Sequence, residues 1–323
     1  MNYKQLGQTG VQVSQLCFGT MSFGGDADAA KSGRMFNKCR DAGINFFDCA
    51  DVYSNGAAEM ILGKLIKDSR DELVITSKCF GAMGDDVNAK GGNRRHILQA
   101  VDASLKRLGT DRIDVLFMHR WDKQVPLEET LRALERLVAD GKVLYLGASN
   151  YAAWQIAKGL GISAKNNWPR FDVIEPMYSL VKRQAESEIF PLAQAENLGV
   201  ITYSAVGGGL LSGKYGKQAR PDQGRIMANP EYAKRYSEDW VFEVAEAFTE
   251  FAREMGVHPV SLAVAWAAAH PAVTCPIIGA RNVAQLQPSL DAVNIEMTPE
   301  LHARIAALSR TPPPATDRLE EQL

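Results

Sequence analysis

Short apolar runs alternate with longer amphipathic stretches along almost the whole chain. Eight of these runs are typical of buried strands, and their sequences are LCFGTM, INFFDC, ELVITSK, IDVLFMH, VLYLGAS, FDVIEP, GVITYSA and VTCPII. The stretches between them have helical periodicity; in one, Leu127, Leu131, Leu134 and Val138 share an apolar face. Strands that alternate with helices form parallel sheets through right-handed crossovers. Eight such units in 323 residues predict an α/β fold, a (β/α)8 TIM barrel.

An open dinucleotide-binding sheet is the main alternative to the barrel. That fold carries G-x-G-x-x-G after its first strand, whereas the first strand here ends in FGTMSFGG, which lacks this spacing. The segment YKQLGQTGVQVSQL, which precedes the first strand, is typical of a hairpin. We therefore expect one domain over residues 1–323, a closed barrel with an N-terminal β-hairpin.

Two segments are long for barrel loops, residues 79–93 after the third strand and 207–239 after the seventh. Loops of this length in a compact domain are usually functional lids or clamps. The tail from Thr311 contains three consecutive prolines, and we expect it to be flexible.

Composition restricts the kinds of partner that this chain can have. The formal net charge is −2 with no basic block, which argues against nucleic-acid and anionic membrane partners. The five cysteines form no CxxC pair, which favours reduced thiols in a cytoplasmic protein and argues against a metal site. The N-terminus lacks a signal-peptide pattern, and no apolar run approaches the ~18 residues of a membrane span. The oligomeric state stays open.

Four polar residues follow the predicted strands two to four: Asp48, Tyr53, Lys78 and His119. In barrels of this type the chemistry sits at the C-terminal ends of the strands, so these side chains should meet at one mouth. Each alone is compatible with a helix cap or a surface group. Together they predict a proton donor for a carbonyl oxygen, with Lys78 lowering the pKa of Tyr53 and Asp48 holding Lys78. A hydrolytic zinc site is the alternative, but it needs more ligands and Lys78 would repel the metal.

The sequences GINFFDCADVY, VITSK, VLFMH and YLGASN resemble the motifs of the aldo-keto reductase family, in the same order. The similarity runs from LGQTG to IIGARNVAQL, nearly the whole chain. It implies an oxidoreductase that reduces aldehyde, ketone or sugar carbonyls with NADPH by direct hydride transfer, without a metal. Asp48, Tyr53, Lys78 and His119 would then be the catalytic tetrad, with Tyr53 as the general acid in reduction.

The same resemblance implies a set of cofactor contacts. Ser149, Asn150 and Glu175 would face the nicotinamide carboxamide, and Tyr203 would stack under the ring. Arg281 and Gln285 would bind the adenosine 2′-phosphate, which favours NADPH over NADH. The complete set of predicted contacts is Gly19, Thr20, Met21, Ser149, Asn150, Glu175, Tyr203, Ser204, Gly208, Leu210, Gly279, Arg281, Gln285 and Ser289.

Two of these positions depart from the family pattern. Glu175 stands where relatives usually carry glutamine, and Ser289 where many carry asparagine. An ionised Glu175 would stabilise the oxidised nicotinamide ring and change the NADPH/NADP+ affinity ratio. The other interpretation is that Glu175 turns aside and is capped by backbone donors.

The sequence around these positions contains further residues whose roles are open to more than one interpretation. Trp121 and Phe80 are expected to line the substrate pocket, and Asp51 and Asp122 are either pocket groups or local caps. Cys79 is expected to be inert packing. The alternative function is a cofactor-binding regulatory subunit that docks onto a partner, as potassium-channel β subunits do. The carbonyl substrate itself depends on loops whose shape the sequence does not define.

Overall fold

A computed structural model of the chain describes residues 1–221, 224–316, 318 and 320. In this part of the chain the strands are β1 (Tyr3–Gln5), β2 (Gln12–Ser14), β3 (Cys17–Gly19), β4 (Phe46–Asp48), β5 (Val74–Cys79), β6 (Ile113–Met118), β7 (Val143–Ser149), β8 (Phe171–Glu175), β9 (Gly199–Thr202) and β10 (Cys275–Ile278). Strands β3 to β10 pair in parallel in chain order, and β10 closes onto β3. The predicted (β/α)8 barrel is confirmed, and its strands are shorter than the apolar runs that predicted them, except β7, which has the same bounds as the run VLYLGAS.

Helices connect the barrel strands and cover them on the outside. Their bounds are α1 (Ala29–Asp41), α2 (Ala57–Ile66), α3 (Arg94–Leu108), α4 (Leu127–Ala139), α5 (Ala153–Asn166), α6 (Ile189–Ala195), α7 (Arg225–Ala228), α8 (Pro230–Arg235), α9 (Asp239–Glu254), α10 (Pro259–Ala268), α11 (Val283–Asp291) and α12 (Pro299–Ala306). None of these helices is long and apolar enough to cross a membrane.

Helix α4 illustrates how the sequence pattern produces the outer layer. Leu127, Leu131 and Leu134 are buried, as their spacing predicts, and Val138 is partly buried against the same core. Two acidic residues occupy the first turn of α4, where they complement the positive end of the helix dipole. The helix therefore packs one apolar stripe onto the barrel and leaves its charged face in solvent.

The predicted N-terminal hairpin is confirmed, and it covers one end of the barrel. Strands β1 and β2 pair antiparallel, with Tyr3 opposite Ser14. Leu6 and Val13 are fully buried. They pack with Cys17, Phe46 and Val115, which lie in the N-terminal halves of β3, β4 and β6. The hairpin thus covers the N-terminal end of the barrel and leaves the C-terminal mouth open.

The two long segments have different structures. Residues 80–93 contain no helix or strand and are held by local hydrogen bonds; Gly91 N donates to Phe80 O at 2.7 Å. Asp122 also clamps this segment, since its Oδ2 accepts from Gly92 N at 2.7 Å. Asp122 is therefore a local cap.

The segment after β9 is partly helical. It contains a 3-10 stretch, Gly207–Ser212, followed by α7 and α8. Residues 222 and 223 of this segment lie outside the described residues. Residues 317, 319 and 321–323 of the tail that was predicted to be flexible also lie outside the described residues. Earlier in the tail, Pro313 O accepts a hydrogen bond from Ser187 Oγ at 2.8 Å.

Candidate active site

The barrel brings the predicted polar residues to one mouth. Asp48 ends β4, Glu175 ends β8, and Lys78 is the second-last residue of β5. His119 directly follows β6. Because parallel strands have their carboxyl ends at the same edge, these side chains converge at the C-terminal face.

A tight turn after β4 carries Tyr53 back over this face. Ser54, Asn55 and Gly56 have φ of 48°, 53° and 87°, so three consecutive residues adopt the left-handed region before α2 begins. Non-glycine residues rarely adopt this conformation, and it is often found at functional sites. The turn places the phenol beside Lys78, which is distant in sequence.

Lys78 and Asp48 form a fully buried ion pair at the centre of the site. Lys78 Nζ donates to Asp48 Oδ1 and Oδ2 at 2.5 and 2.6 Å, and to Cys49 O at 2.9 Å. Thr76 Oγ1 donates to Asp48 Oδ1 at 2.6 Å. Both oxygens of Asp48 are therefore satisfied, as a buried carboxylate requires.

The hydroxyl of Tyr53 lies within reach of the lysine. Lys78 Nζ donates to the Tyr53 hydroxyl oxygen at 3.3 Å, and the same ammonium lies 5.1 Å from the centre of the phenol ring. The rings of Tyr53 and His119 meet edge to face, with centroids 6.2 Å apart. The structure thus brings together all four residues of the predicted tetrad.

Lys78 lowers the pKa of Tyr53, as predicted, but the net shift of this pKa is upward. Burial raises the pKa of Tyr53 well above its ordinary value, and the opposing attraction of Lys78 is weaker. Two carboxylates beside Lys78, Asp48 and Glu175, add smaller contributions that also favour the protonated phenol. Burial also opposes the charge on Lys78, but these carboxylates and Tyr53 hold its pKa well above the usual range. Tyr53 is therefore a phenol and Lys78 an ammonium.

His119 is held in its neutral form. Burial lowers the pKa of His119 to about 3, and the charges of Lys78 and Arg120 lower it further in the same direction. A neutral imidazole carries one N–H donor and one acceptor nitrogen. His119 can therefore donate one hydrogen bond into the site without carrying a charge.

Glu175 faces the same lysine from the opposite side of the barrel. Its Oε2 lies 3.4 Å from Lys78 Nζ, and this buried oxygen has no hydrogen-bond partner in the described chain. Burial, together with the charge of Asp48, raises the pKa of Glu175 well above its usual value, although Lys78 opposes the shift. Burial therefore favours the protonated form of Glu175 over the ionised form expected from the sequence, and the effect of Glu175 on the nicotinamide stays a prediction. Within the described residues, no backbone donor reaches Glu175 Oε2, so the capping expected in the other interpretation is not seen at this oxygen.

The other residues predicted around the carboxamide form one hydrogen-bonded group. Tyr203 OH donates to Asn150 Oδ1 at 2.5 Å, and Asn150 Nδ2 donates to Ser149 Oγ and to His119 O, both at 3.0 Å. Ser149 Oγ donates to Glu175 O at 3.2 Å. The ends of β6, β7, β8 and β9 are thereby linked beside the tetrad.

A cavity of about 1060 Å³ opens at this mouth and runs toward α11. Asp48, Tyr53 and His119 line one part of it. The predicted cofactor contacts that line it are Gly19, Met21, Asn150, Glu175, Tyr203, Ser204, Gly208, Gly279, Arg281, Gln285 and Ser289. Thr20, Ser149 and Leu210 are fully buried and are not part of this lining.

The two residues predicted for the substrate pocket lie outside the lining of this cavity. Trp121 packs edge to face against Tyr151 and Trp154, with centroids 5.4 and 5.5 Å away. Phe80 packs partly buried against the main hydrophobic core. Their contact with a substrate stays a prediction.

Sequence reasoning missed most of the cations around the cavity. The lining includes five basic residues that were not singled out, namely Arg120, Lys214, Arg225, Lys234 and Arg235. The guanidinium groups of Arg225 and Arg235 both lie over the ring of Tyr232, 5.4 and 4.7 Å from its centre. The irregular spacing of Arg225, Lys234 and Arg235 in the segment after β9 carried no signal. Only Lys214 could have been found, since it lies in the glycine-rich stretch YSAVGGGLLSGKY.

The cavity residues fit an elongated phosphorylated ligand. Gly208 has φ of +66°, and a Cβ atom there would lie 2.9 Å from the ring of Tyr232, so only glycine leaves this backbone accessible. Arg281 is half-exposed beside α11, and its Nε pairs with Asp26 at 3.0 Å. Basic side chains and free backbone donors are the groups that bind phosphates.

Two further residues near the site are excluded from the cavity. Asp51 is fully buried, and neither of its carboxylate oxygens has a hydrogen-bond partner in the described chain. Burial, reinforced by Glu59, raises the pKa of Asp51 to about 7. Cys79 is buried, and burial raises the pKa of its thiol well above the ordinary value, which makes it unreactive. The described residues contain no cluster of three or more His, Cys, Asp or Glu that could hold a metal ion.

Comparison with known proteins agrees with this arrangement. The sequence model of the Aldo/keto reductase family matches residues 15–310. The chain therefore belongs to the aldo/keto reductase family, whose members generally use nicotinamide cofactors.

Three relatives illustrate the range of functions named within the family. The chain is 36% identical to a probable voltage-gated potassium channel subunit beta of Oryza sativa, over 98% of this chain and 99% of the relative. It is 35% identical to the uncharacterized oxidoreductase YrpG of Bacillus subtilis, over 93% of this chain and 94% of the relative. It is 30% identical to the versiconal hemiacetal acetate reductase of Aspergillus parasiticus, again over 93% and 94%. Family membership supports oxidoreductase activity and leaves the substrate open.

Proposed function

We propose that this protein reduces the carbonyl groups of aldehydes or ketones, sugars among them, to alcohols with NADPH. One observation carries the proposal: a protonated Tyr53, in contact with Lys78, faces a cavity whose lining extends to Arg281. A proton donor and a phosphate-binding region in one cavity are what a dinucleotide-dependent reductase requires. The oxidoreductase relatives support the same reaction class.

Each residue of the tetrad has a role in carbonyl reduction. A bound nicotinamide supplies the hydride that the carbonyl carbon accepts. Tyr53 donates its hydroxyl proton to the carbonyl oxygen, and Lys78 stabilises the phenolate that remains. His119, being neutral, donates a hydrogen bond that orients and polarises the carbonyl. Asp48 keeps Lys78 charged and in place through two short hydrogen bonds.

The cofactor would extend from the tetrad to α11. Asn150 and Glu175 would contact the carboxamide, with Ser149 supporting them from behind the lining. Tyr203 would stack against the nicotinamide ring, and its hydroxyl is already fixed by Asn150. Arg281 would bind the adenosine 2′-phosphate, which would give NADPH preference over NADH. We place the protein in the cytoplasm, which the five buried, unpaired cysteines support.

A fluorescence titration with NADPH and NADH, followed by turnover on a panel of carbonyl compounds, tests this function. We expect tighter binding of NADPH than of NADH, and consumption of NADPH with at least one aldehyde, ketone or sugar. The control for the variant Tyr53→Phe is Tyr145→Phe, which removes the hydroxyl of another tyrosine. This hydroxyl contacts Thr9 O in the hairpin, away from the mouth. Failure of the wild-type protein to bind either nucleotide would contradict the proposal.

A regulatory subunit is the second candidate, and the relatives favour it. Two plant relatives that match over nine-tenths or more of both chains are named as probable potassium channel β subunits. A protein of this kind would bind the cofactor and act through a partner. Tight NADPH binding without turnover on any carbonyl, in a protein whose Tyr53 is intact, would favour this candidate.

A further inference from the structure

Lys78 lies between two buried carboxylates that accept very different numbers of hydrogen bonds. Asp48 accepts three hydrogen bonds at 2.5 to 2.6 Å, two from Lys78 and one from Thr76. Glu175 Oε2 lies 3.4 Å from Lys78 Nζ and has no hydrogen-bond partner within the described residues. One ammonium cannot balance two carboxylates, so full ionisation leaves one buried negative charge uncompensated. Such a charge is costly in a low-dielectric site, and a proton on the less satisfied carboxylate removes it.

Among the described residues, Lys78 is the one cation that acts on Glu175. The titratable groups that face it are Lys78 from β5, Asp48 from β4, Tyr53 from the turn after β4, Cys17 from β3 and Tyr203 after β9. The neighbouring strand β7 contributes Ser149, which carries no charge. Burial and Asp48 both raise the pKa of Glu175. Yet Glu175 also lines the cavity, so a ligand can change its environment directly.

We propose that Glu175 stores a proton that it holds beside a reduced nicotinamide and releases beside an oxidised one, reloading Tyr53 through Lys78. This inference rests on the proposed function. Lys78 Nζ lies within reach of both groups, 3.3 Å from the Tyr53 hydroxyl, to which it donates a hydrogen bond, and 3.4 Å from Glu175 Oε2, with which it forms an ion pair.

The proton transfers balance along this path. In reduction, the O–H bond of Tyr53 breaks as its proton passes to the carbonyl oxygen, and the hydride pair goes to the carbonyl carbon. The phenolate takes a proton from Lys78, and the resulting amine takes the proton of Glu175. Tyr53 is again a phenol and Lys78 an ammonium, while Glu175 becomes a carboxylate. Its new negative charge would stabilise the positive charge of an oxidised nicotinamide ring bound in the cavity that Glu175 lines.

Calorimetric titration tests the proton store without any turnover. NADP+ and NADPH are each titrated at one pH in two buffers of different ionisation enthalpy, which gives the number of protons released on binding. We expect the wild-type protein to release up to about one more proton with NADP+ than with NADPH. Glu175→Gln, which keeps the size of the side chain, should remove this difference.

Asp172→Asn is the matched control. Asp172 lies three residues earlier on β8, is half-buried, and burial raises its pKa to about 6, but it does not line the cavity. It should therefore leave the difference in proton release unchanged. Loss of the difference in Asp172→Asn and not in Glu175→Gln would overturn the proposal.

The pH dependence of affinity gives a second readout in the wild-type protein. Because NADP+ binding releases a proton, raising the pH should lower the Kd for NADP+ relative to NADPH, by up to about tenfold per pH unit. The ratio should be flat in Glu175→Gln and still vary in Tyr53→Phe. If Tyr53→Phe abolishes the variation and Glu175→Gln keeps it, the tyrosine is the proton source and the proposal is wrong.

The failures of the two proposals are distinguishable. Binding of both nucleotides with equal proton release by the wild-type protein would overturn the proton store and leave the reductase standing. Absence of binding by either nucleotide would overturn both.

Discussion

Lys78 Nζ lies 3.3 Å from the Tyr53 hydroxyl, and both groups are buried beside Asp48. This contact joins a residue on a barrel strand to one on a left-handed turn after another strand. It gives Tyr53 a fixed cation that stabilises the phenolate when the proton leaves, while burial keeps the resting side chain protonated. The predictions below follow from this arrangement and from the charges around the cavity.

Tyr53→Phe removes the proton donor and keeps the ring. We expect kcat to fall by roughly 10²- to 10⁴-fold, the usual contribution of a general acid. The Kd for NADPH should change little, because the phenol ring is retained. Steady-state kinetics and a fluorescence titration check the two values. Unchanged turnover in Tyr53→Phe would exclude Tyr53 as the general acid.

Asp48→Asn leaves the buried ammonium of Lys78 without its main partner. Breaking a buried pair by removing one partner costs about 3–5 kcal/mol, and we expect a loss of this order in the free energy of unfolding. The double variant Asp48→Asn with Lys78→Met should lose less than the sum of the single variants. Urea unfolding of the four proteins measures the coupling, and strict additivity would show that the pair does not stabilise the fold.

Asp26 and Arg281 form an exposed ion pair at 3.0 Å beside the proposed 2′-phosphate site. Arg281→Ala should weaken NADPH much more than NADH. Asp26→Asn should tighten NADPH by up to about fivefold, since exposed pairs are worth roughly 0–1 kcal/mol and the arginine is no longer engaged. Kd values for both nucleotides check this, with Arg136→Ala on α4 as the control. Equal weakening of NADPH and NADH by Arg281→Ala would mean that Arg281 does not bind the 2′-phosphate.

Asp51 makes the protein less stable at high pH. Burial, reinforced by Glu59, raises its pKa to about 7 in the folded state, against about 3.9 for a free aspartate. The folded state therefore holds the proton more tightly, so stability is greatest below about pH 4 for this group and is lost as the pH rises to about 7. Each pH unit in that window costs about 1.4 kcal/mol.

Asp51→Asn should therefore raise the free energy of unfolding more at pH 8 than at pH 5. Urea unfolding at the two pH values measures this, with Asp68→Asn, an exposed residue in the turn after α2, as the control. An effect of Asp51→Asn that is independent of pH would contradict the buried, protonated carboxyl.

The barrel and the meeting of Asp48, Tyr53, Lys78 and His119 at its mouth were predictable because their signals are local. Alternation of apolar runs marks each strand, and the residue that closes a run must lie at the mouth. The protonation state of Tyr53 was not predictable, because it depends first on the burial of the phenol and then on two carboxylates that converge on Lys78 from β4 and β8. Nothing in the spacing of Asp48 and Glu175 along the chain shows that both reach the same ammonium.

The cavity beyond the tetrad was harder to predict for a similar reason. The pairing of Arg281 with Asp26 joins residues at opposite ends of the chain. Helices α7 and α8 are too short for a clear period, so the segment 207–239 was expected to be a loop. The position of Trp121 depends on its edge-to-face packing against Tyr151 and Trp154.

Single-turnover reduction with NADPH deuterated at nicotinamide C4, in each stereochemical form, tests direct hydride transfer to a carbonyl. An alcohol that carries deuterium on its former carbonyl carbon, from one of the two forms, is the result that we predict. An alcohol formed without deuterium from either form would contradict the proposed reaction.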